Sequence, residues 1–446
     1  MVTRESGRRR GAGWPPLLNI LGWSLLLTLL ASPFLVVRLT GDALIYRWYA
    51  PLWLLLALVA GQLLAWGGRQ VLAWLLPEQE EGGARTRIGW GQRLAVARQR
   101  YPWLRRVGSW ALAVALAVGL LALPFLPGVG RYPIDLATSV LIYVLLGLGL
   151  TIVVGWAGLL DLGYVAFYAL GAYGYALANQ LWGLSFWWGL PVSALVAAVA
   201  ALLVGLPVLR LRGDYLAIVT LGFAEMVRLA LINWQSVTGG PAGLGGIARP
   251  TLFGISFSNS PNADQIAFHE WLGIEFSSLQ RIIFLYLIIL LLVSLIYLAL
   301  RRLRRLPLGL AWEAVREDEV AAVSLALNVT RLRLAAYMLG ASLAGMAGCF
   351  FAARQGFISP ESFTFNESAL VLAVVVLGGL GSQAGIVLAA MLLVLLPELL
   401  RDLADYRLLL FGAAIVWVMV KRPGGLIRQP RPDLLAATQG RGEGAS

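Results

Sequence analysis

The sequence predicts an all-α polytopic integral membrane protein with about 10–12 transmembrane helices, some of them broken or re-entrant. Three observations predict it. Hydrophobic residues make up 59% of the chain and charged ones only 13%, against about 25% charged in soluble domains; the mean hydropathy is +0.78. Apolar runs of roughly 20 residues recur, the length that crosses a bilayer core as helix, and the short alternating segments of outer-membrane barrels are absent. The net charge of +12 comes almost entirely from arginines in the connections between runs, Lys421 being the sole lysine. That placement follows the positive-inside rule rather than nucleic-acid binding.

Taken in order, a basic stretch, Met1–Arg10, precedes the run 15–37. The run exceeds the about 7–15 residues of a signal-peptide core, so it is expected to be a retained span. Further spans are expected at 51–67, 109–127, 134–156, 162–181, 187–209, 215–233, 281–300, 334–353, 368–380, 385–400 and 407–420. With the N-terminus cytoplasmic, the loops Gly68–Gly108 and Arg301–Arg333 and the tail from Lys421 fall on one side; these are the most basic connections. The loop Gln235–Gln280 falls outside, and the C-terminus is cytoplasmic. The parity survives if 368–380 and 385–400 form one re-entrant hairpin. Between them, Val376–Gly385 carries four glycines. Glycine-interrupted segments mark binding sites in some transporters, which makes Gly379 and Gly381 candidates for the translocation pathway; a tight turn is the alternative.

Gly340, Ala344 and Gly348 recur every four residues and predict a close helix-packing face. Cys349, the sole cysteine, cannot form an intrachain disulfide and reads as a packing residue. His269, the sole histidine, has no companions with which to build a zinc site. The loop TGGPAGLGG, Thr238–Gly246, lacks the lysine of a phosphate-binding loop.

Charges inside spans are the first candidates for function. Glu225 and Arg228, three residues apart, are expected to share a helix face as an ion pair, with a substrate-facing role as the alternative. Asp161 opens an aromatic span containing Tyr164 and Tyr168; it suits a helix N-cap or a pathway position. The strongest signal is Leu308–Leu327, read as one amphipathic helix. Trp312, Val315, Val323 and Leu325 are expected to contact lipid or a partner, and Glu313, Arg316, Glu317, Asp318 and Glu319 to face water. Its polar face is mostly acidic, which suits a protein partner better than an anionic lipid surface.

Several long segments resemble one known family: Gly158–Tyr173, Leu209–Leu229, Thr238–Gly243, Arg305–Asn328, Phe351–Phe365 and the closing RPGGL, Arg422–Leu426. They look like the LivM branch of the LivH/LivM permeases of bacterial branched-chain amino-acid ABC importers. The resemblance covers roughly Tyr132–Ile427. It implies a permease core at 131–427, an extension at 1–130 with two or three spans and a basic linker, and a disordered cytoplasmic tail at 428–446. It further implies the ABC importer permease fold in a bacterial inner membrane. The implied partners are a LivH-like second permease, two cytoplasmic ATPases and a periplasmic amino-acid-binding protein, with the lipid bilayer around them. ATP-Mg would bind those ATPases and no cofactor would bind this chain, which would be a transporter subunit and not an enzyme. In that scheme Arg305–Asn328 is the coupling loop, with Trp312, Glu313, Ala314, Arg316, Glu319, Ala321, Ala322 and Ala326 as its residues. Ala326 stands where the family usually has glycine, and Val320 where the related motif has glutamate. LLDLGY (Leu159–Tyr164) points to the amino-acid branch rather than the urea and amide permeases, which tend to read LLSLGQ. An ion-coupled secondary transporter is the competing class, but the acid it would need, Glu225, has Arg228 beside it. A membrane enzyme would need a cluster of catalytic polar groups that the chain does not offer.

Overall fold

A computed structural model describes residues 130–211, 213–251 and 278–399 nearly continuously, with 37–40, 43–46, 120–122, 255–256, 266–267, 425–427 and four isolated positions besides. The chain divides into two units, Met1–Leu116 and Ala117–Ser446. In the first, Val37–Thr40 and Ala43–Tyr46 pair as an antiparallel hairpin. The expected spans 51–67 and almost all of 15–37, 109–127 and 407–420 lie outside the described residues, as do the loop 68–108, His269 and the tail 428–446.

The second unit is helical. Helix α1, Arg131–Leu150, runs on into a π-helical turn, Thr151–Trp156. Then come α2 (Val165–Trp182), α3 (Phe186–Val208), α4 (Asp214–Asn233) and α5 (Ser278–Leu303). Two short helices follow, α6 (Pro307–Glu317) and α7 (Glu319–Ser324). Next among the described residues are α8 (Val329–Gln355), α9 (Phe365–Gly378) and α10 (Gln383–Leu399). Local chemistry sets the ends. Proline at the first position starts α6. The Asn328 side chain accepts from the Arg331 N–H at 3.1 Å and caps α8. Left-handed glycines, Gly183 and Gly356, close α2 and α8.

Among the described residues six helical segments are long and apolar enough to span a membrane: 131–156, 186–208, 214–233, 279–303, 329–355 and 360–378. The protein is a multi-pass membrane protein. Helix α2 is not one of the six, because its tyrosines, Asn179 and Gln180 lower its hydropathy. It is instead enclosed by protein, packed on α8 and α3.

The centre of the unit is α8, which packs on α3, α2 and α1. Lipid tails are as apolar as the side chains, so helices associate in a bilayer through close van der Waals contact. Small residues provide it here. A Cβ on Gly171 of α2 would stand 2.3 Å from Gly345 Cα, and one on Gly345 would stand 2.3 Å from the Ser193 carbonyl of α3. One on Gly348 would meet the Tyr168 carbonyl at 2.3 Å. The Ser193 hydroxyl donates to the Gly171 carbonyl at 2.9 Å, closing the three-helix junction. By contrast, only 28% of the α4 span is buried within the chain, against 78% of the span that contains α1.

Beyond the ends of α4 and α8, Leu244–Gly245 pairs antiparallel with Phe357–Ile358. The TGGPAG motif makes this possible. The Thr238 hydroxyl donates to the Leu231 carbonyl at 2.6 Å, turning the chain off α4. A Cβ on Gly243 would collide with the Ile358 carbonyl, at 2.1 Å.

Candidate functional site

The Arg-rich connection between α5 and α8 folds as two helices, and the single helix expected over Leu308–Leu327 is corrected accordingly. Asp318 breaks it. Its backbone is extended, and its Oδ1 accepts from the N–H groups of Val320 and Ala321 at 2.8 and 3.1 Å. The side chain that looked like part of a polar face is an N-cap, the usual use of aspartate at a helix start.

The apolar residues of the two helices point in different directions. Trp312 and Val315, expected to face outward, are buried at 0% and 3% exposure. The Trp312 ring stacks on Trp156 of the π turn, centroids 6.2 Å apart, and its Nε1 donates to the Leu332 carbonyl at 2.8 Å. Val315 packs with Ala322 and Val329. The outward apolar residues are instead Leu310 of α6, 56% exposed, and three on and just beyond α7: Val320, Val323 and Leu325 are 77%, 59% and 72% exposed.

The acidic residues are also engaged within the chain. Glu313 accepts from Arg304 Nε at 2.7 Å, and Glu319 pairs with Arg333 at 3.1 Å. Arg316 donates to the Gly155 carbonyl, and its stem lies over Gly158, where a Cβ would be 2.9 Å from its Cγ. The expectation that Glu313, Arg316 and Glu319 simply face water therefore gives way to a bracing role: they fasten the loop to α5, α8 and the end of α1. Ala314 supplies the carbonyl that accepts from the Asp318 N–H, at 3.1 Å, while Ala321 stays exposed.

Ala326 closes α7 in the left-handed region, at φ 59°. The N–H of Leu327 reaches the Ala322 carbonyl at 3.1 Å and that of Ala326 reaches Val323 at 2.9 Å, the double bond of a Schellman cap. An alanine there is strained by about 1–2 kcal/mol relative to glycine. Ala326→Gly is expected to stabilise the chain by a net of about 0.5–1 kcal/mol, once glycine's greater freedom in the unfolded chain is subtracted. The measurement is the thermal midpoint of the detergent-solubilised protein; an unchanged or lower midpoint contradicts it.

The second group of residues lies between the π turn and α2. Asp161 suits two roles by sequence, an N-cap of α2 or a pathway position, and it is not the cap: α2 starts at Val165 after Tyr164, with no side-chain cap. The Asp161 Oδ1 accepts instead from the Gly163 N–H two residues on, at 2.8 Å. This local turn is the competing bond that aspartate offers a backbone. The Leu162 N–H donates to Thr220 Oγ1 of α4 at 3.1 Å, and Ser368 Oγ of α9 donates to the Leu162 carbonyl at 2.6 Å. The segment is thus clamped between α4 and α9. Tyr164 is absorbed by packing, its hydroxyl donating to the Gly340 carbonyl of α8 at 2.8 Å. Tyr168 packs against Phe351 and Phe363. Gly379 and Gly381 form the α9–α10 turn, with Gly379 backed by Gly425 and Gly381 by Gly155. That is the tight-turn alternative.

Glu225 and Arg228 are bound to each other, Arg228 Nε lying 3.0 Å from both carboxylate oxygens. They remain 46% and 26% exposed on α4. A lone charge at mid-span costs about 2.5–3.5 kcal/mol on insertion scales. Glu225→Gln and Arg228→Gln are each expected to lower the yield of folded protein, and the double variant to recover most of it. Additive losses in membrane yield and gel-filtration profile would argue against the pairing.

Among the described residues no group of three or more His, Cys, Asp or Glu could hold a metal. The family of permease components of branched-chain amino acid transport systems matches residues 132–419. The chain is 54% identical over 334 residues to the high-affinity branched-chain amino acid transport system permease protein LivM of Salmonella typhimurium, covering 74% of this chain and 78% of that one. It is 54% identical over 322 residues to LivM of Escherichia coli, covering 72% and 75%. The LivH permease of Escherichia coli is 24% identical over 302 residues, covering 65% of this chain and 92% of LivH. No solved structure matches the chain.

Proposed function

Because the chain belongs to the family of permease components of branched-chain amino acid transport systems, we propose that it is the LivM-type permease of an ATP-driven importer. It passes leucine, isoleucine and valine from a periplasmic binding protein to the cytoplasm. It resides in a bacterial inner membrane with both termini cytoplasmic, beside a LivH-like permease and above two ATPases that bind Mg-ATP. The chain itself hydrolyses nothing.

One observation carries the reading: the family match runs from 132 to 419 and so takes in α6 and α7 as well as the spans. The geometry of that loop supports it. Trp312, Arg316, Glu313 and Glu319 brace the loop from within, which leaves Val320, Val323 and Leu325 as the surface for an ATPase. The pathway runs along α4. Glu225 and Arg228 are partly exposed on that helix, and charges inside membranes face a bundle interior or a water-filled path rather than lipid. Of the other pathway candidates, Asp161 and Tyr168 are retained, while Tyr164, Gly379 and Gly381 serve packing.

The test is reconstitution. The purified chain, its LivH-like partner and the two ATPases in proteoliposomes, supplied with the binding protein, are expected to take up leucine only with Mg-ATP. Uptake that follows an ion gradient without ATP would overturn the reading in favour of a secondary transporter.

A further inference from the structure

Two charged side chains flanking the α8–α9 junction, Arg354 and Glu367, are not part of the coupling loop or of the Glu225–Arg228 pair. They share a cavity of about 270 Å³ whose lining includes Ile142, Tyr143, Tyr168, Phe351, Arg354 and Glu367. This is just below the about 300–1,000 Å³ of drug-sized sites, so its occupant is a small molecule. Three features define that occupant.

At one side is Arg354, from the end of α8. Asp135 of α1 engages its Nε and Nη2, at 2.8 and 2.6 Å. A guanidinium has five N–H donors in a fork that matches a carboxylate, so it can serve a second acceptor or exchange the first. At another side is Glu367, from the first turn of α9. It is held by the Tyr143 hydroxyl, which donates to Oε2 at 2.6 Å. Cation and anion in the same wall are thus each held by a different neighbour and not by each other. Between them is an apolar surface. Phe351 and Tyr168 meet at 5.5 Å and both pack on Phe363, at 5.7 and 5.2 Å, an aromatic group that shares the cavity lining with Ile142.

We propose that this cavity is a transient binding station for an amino-acid zwitterion with an apolar side chain, its carboxylate on Arg354, its ammonium on Glu367 and its side chain against Phe351, Tyr168 and Ile142. The proposal rests on the transport reading above and adds the contacts that would recognise the cargo inside the permease. The cavity also adjoins the pathway helix, because Ser362, which lines it, belongs to the turn Pro360–Ser362 that packs on α4. A station held by opposed charges binds weakly enough to release its cargo, since both charges have partners to return to.

The experiment uses the complete importer in proteoliposomes with the binding protein and radiolabelled leucine, reading uptake and ATP hydrolysis in parallel. Glu367→Gln keeps the volume and removes the charge. It is expected to cut leucine uptake by about tenfold, the loss of one charge-assisted hydrogen bond, while ATP hydrolysis stimulated by the binding protein stays near wild type. Tyr143→Phe removes only the hydroxyl that holds Glu367 and is expected to fall between the two. It also stands in if Glu367→Gln does not assemble. Wild-type uptake in an assembled variant overturns the proposal, and so does equal loss of uptake and hydrolysis, the signature of a purely structural pair. Failure of both variants to assemble assigns the residues to folding and overturns it as well. A wild-type complex that takes up no leucine would instead overturn the transport reading on which the cavity rests.

Discussion

Replacing Gly345 by valine is expected to abolish accumulation of the folded chain. Overpacking a core side chain typically costs about 1–3 kcal/mol, because neighbours can shift rotamer. At Gly345 no rotamer can move aside: the nearest atoms to an added Cβ are the Ser193 carbonyl oxygen at 2.3 Å and the Ala197 Cβ at 2.7 Å. The opposite wall is Gly171, itself in backbone contact with Gly345. Helices α2, α3 and α8 must separate together, and α8 is the centre of the unit. The measurement is monodisperse yield after mild solubilisation. Gly345→Ala is expected to be less severe than valine but clearly below wild type. Normal yields for the valine variant would show that the junction is looser than these contacts require.

The second large effect is expected at α7. The double variant Val320→Asp, Val323→Asp should leave the permease folded and remove ATPase binding. Both side chains are exposed within this chain, so the substitution disturbs none of its packing. Two lost apolar contacts of about 1.5–3 kcal/mol each correspond to docking weaker by at least on the order of 100-fold, before the cost of desolvating the new carboxylates. Co-purification of the ATPases reads it directly. Glu313→Arg is expected to act differently: it sets a like charge against Arg304, loosening the loop's seat and lowering thermal stability along with docking. Full ATPase recovery with the double aspartate variant would move the docking surface elsewhere.

The helices were legible in the sequence because the bilayer imposes a length on them. The expected spans 134–156, 187–209, 215–233 and 281–300 fall within a few residues of α1 with its π turn, α3, α4 and α5. The Gly340–Ala344–Gly348 stripe was legible as a packing face for the same kind of reason. Direction within short elements was not. Hydropathy marks Trp312 and Val315 as apolar, but which way they point depends on tertiary partners, Trp156 and Leu332 for the ring and Ala322 and Val329 for the valine, while the local cap at Asp318 re-phases only the residues after it. Charges at span ends were a second blind spot. Apolar runs that end at 353 and resume at 368 place Arg354 and Glu367 in a loop, whereas α8 runs to Gln355 and α9 begins at Phe365. Their side chains meet one cavity through contacts with α1, some 220 residues earlier, which no local pattern contains.

The π-helical turn gives α1 an uncommon kind of ending. Its last ring of backbone is wider and less tightly bonded than the helix that precedes it. To this ring α6 is fastened twice, by the Trp156–Trp312 stack and by Arg316 on the Gly155 carbonyl. These two attachments therefore hold α6 at the π turn of α1 and not along its regular helix.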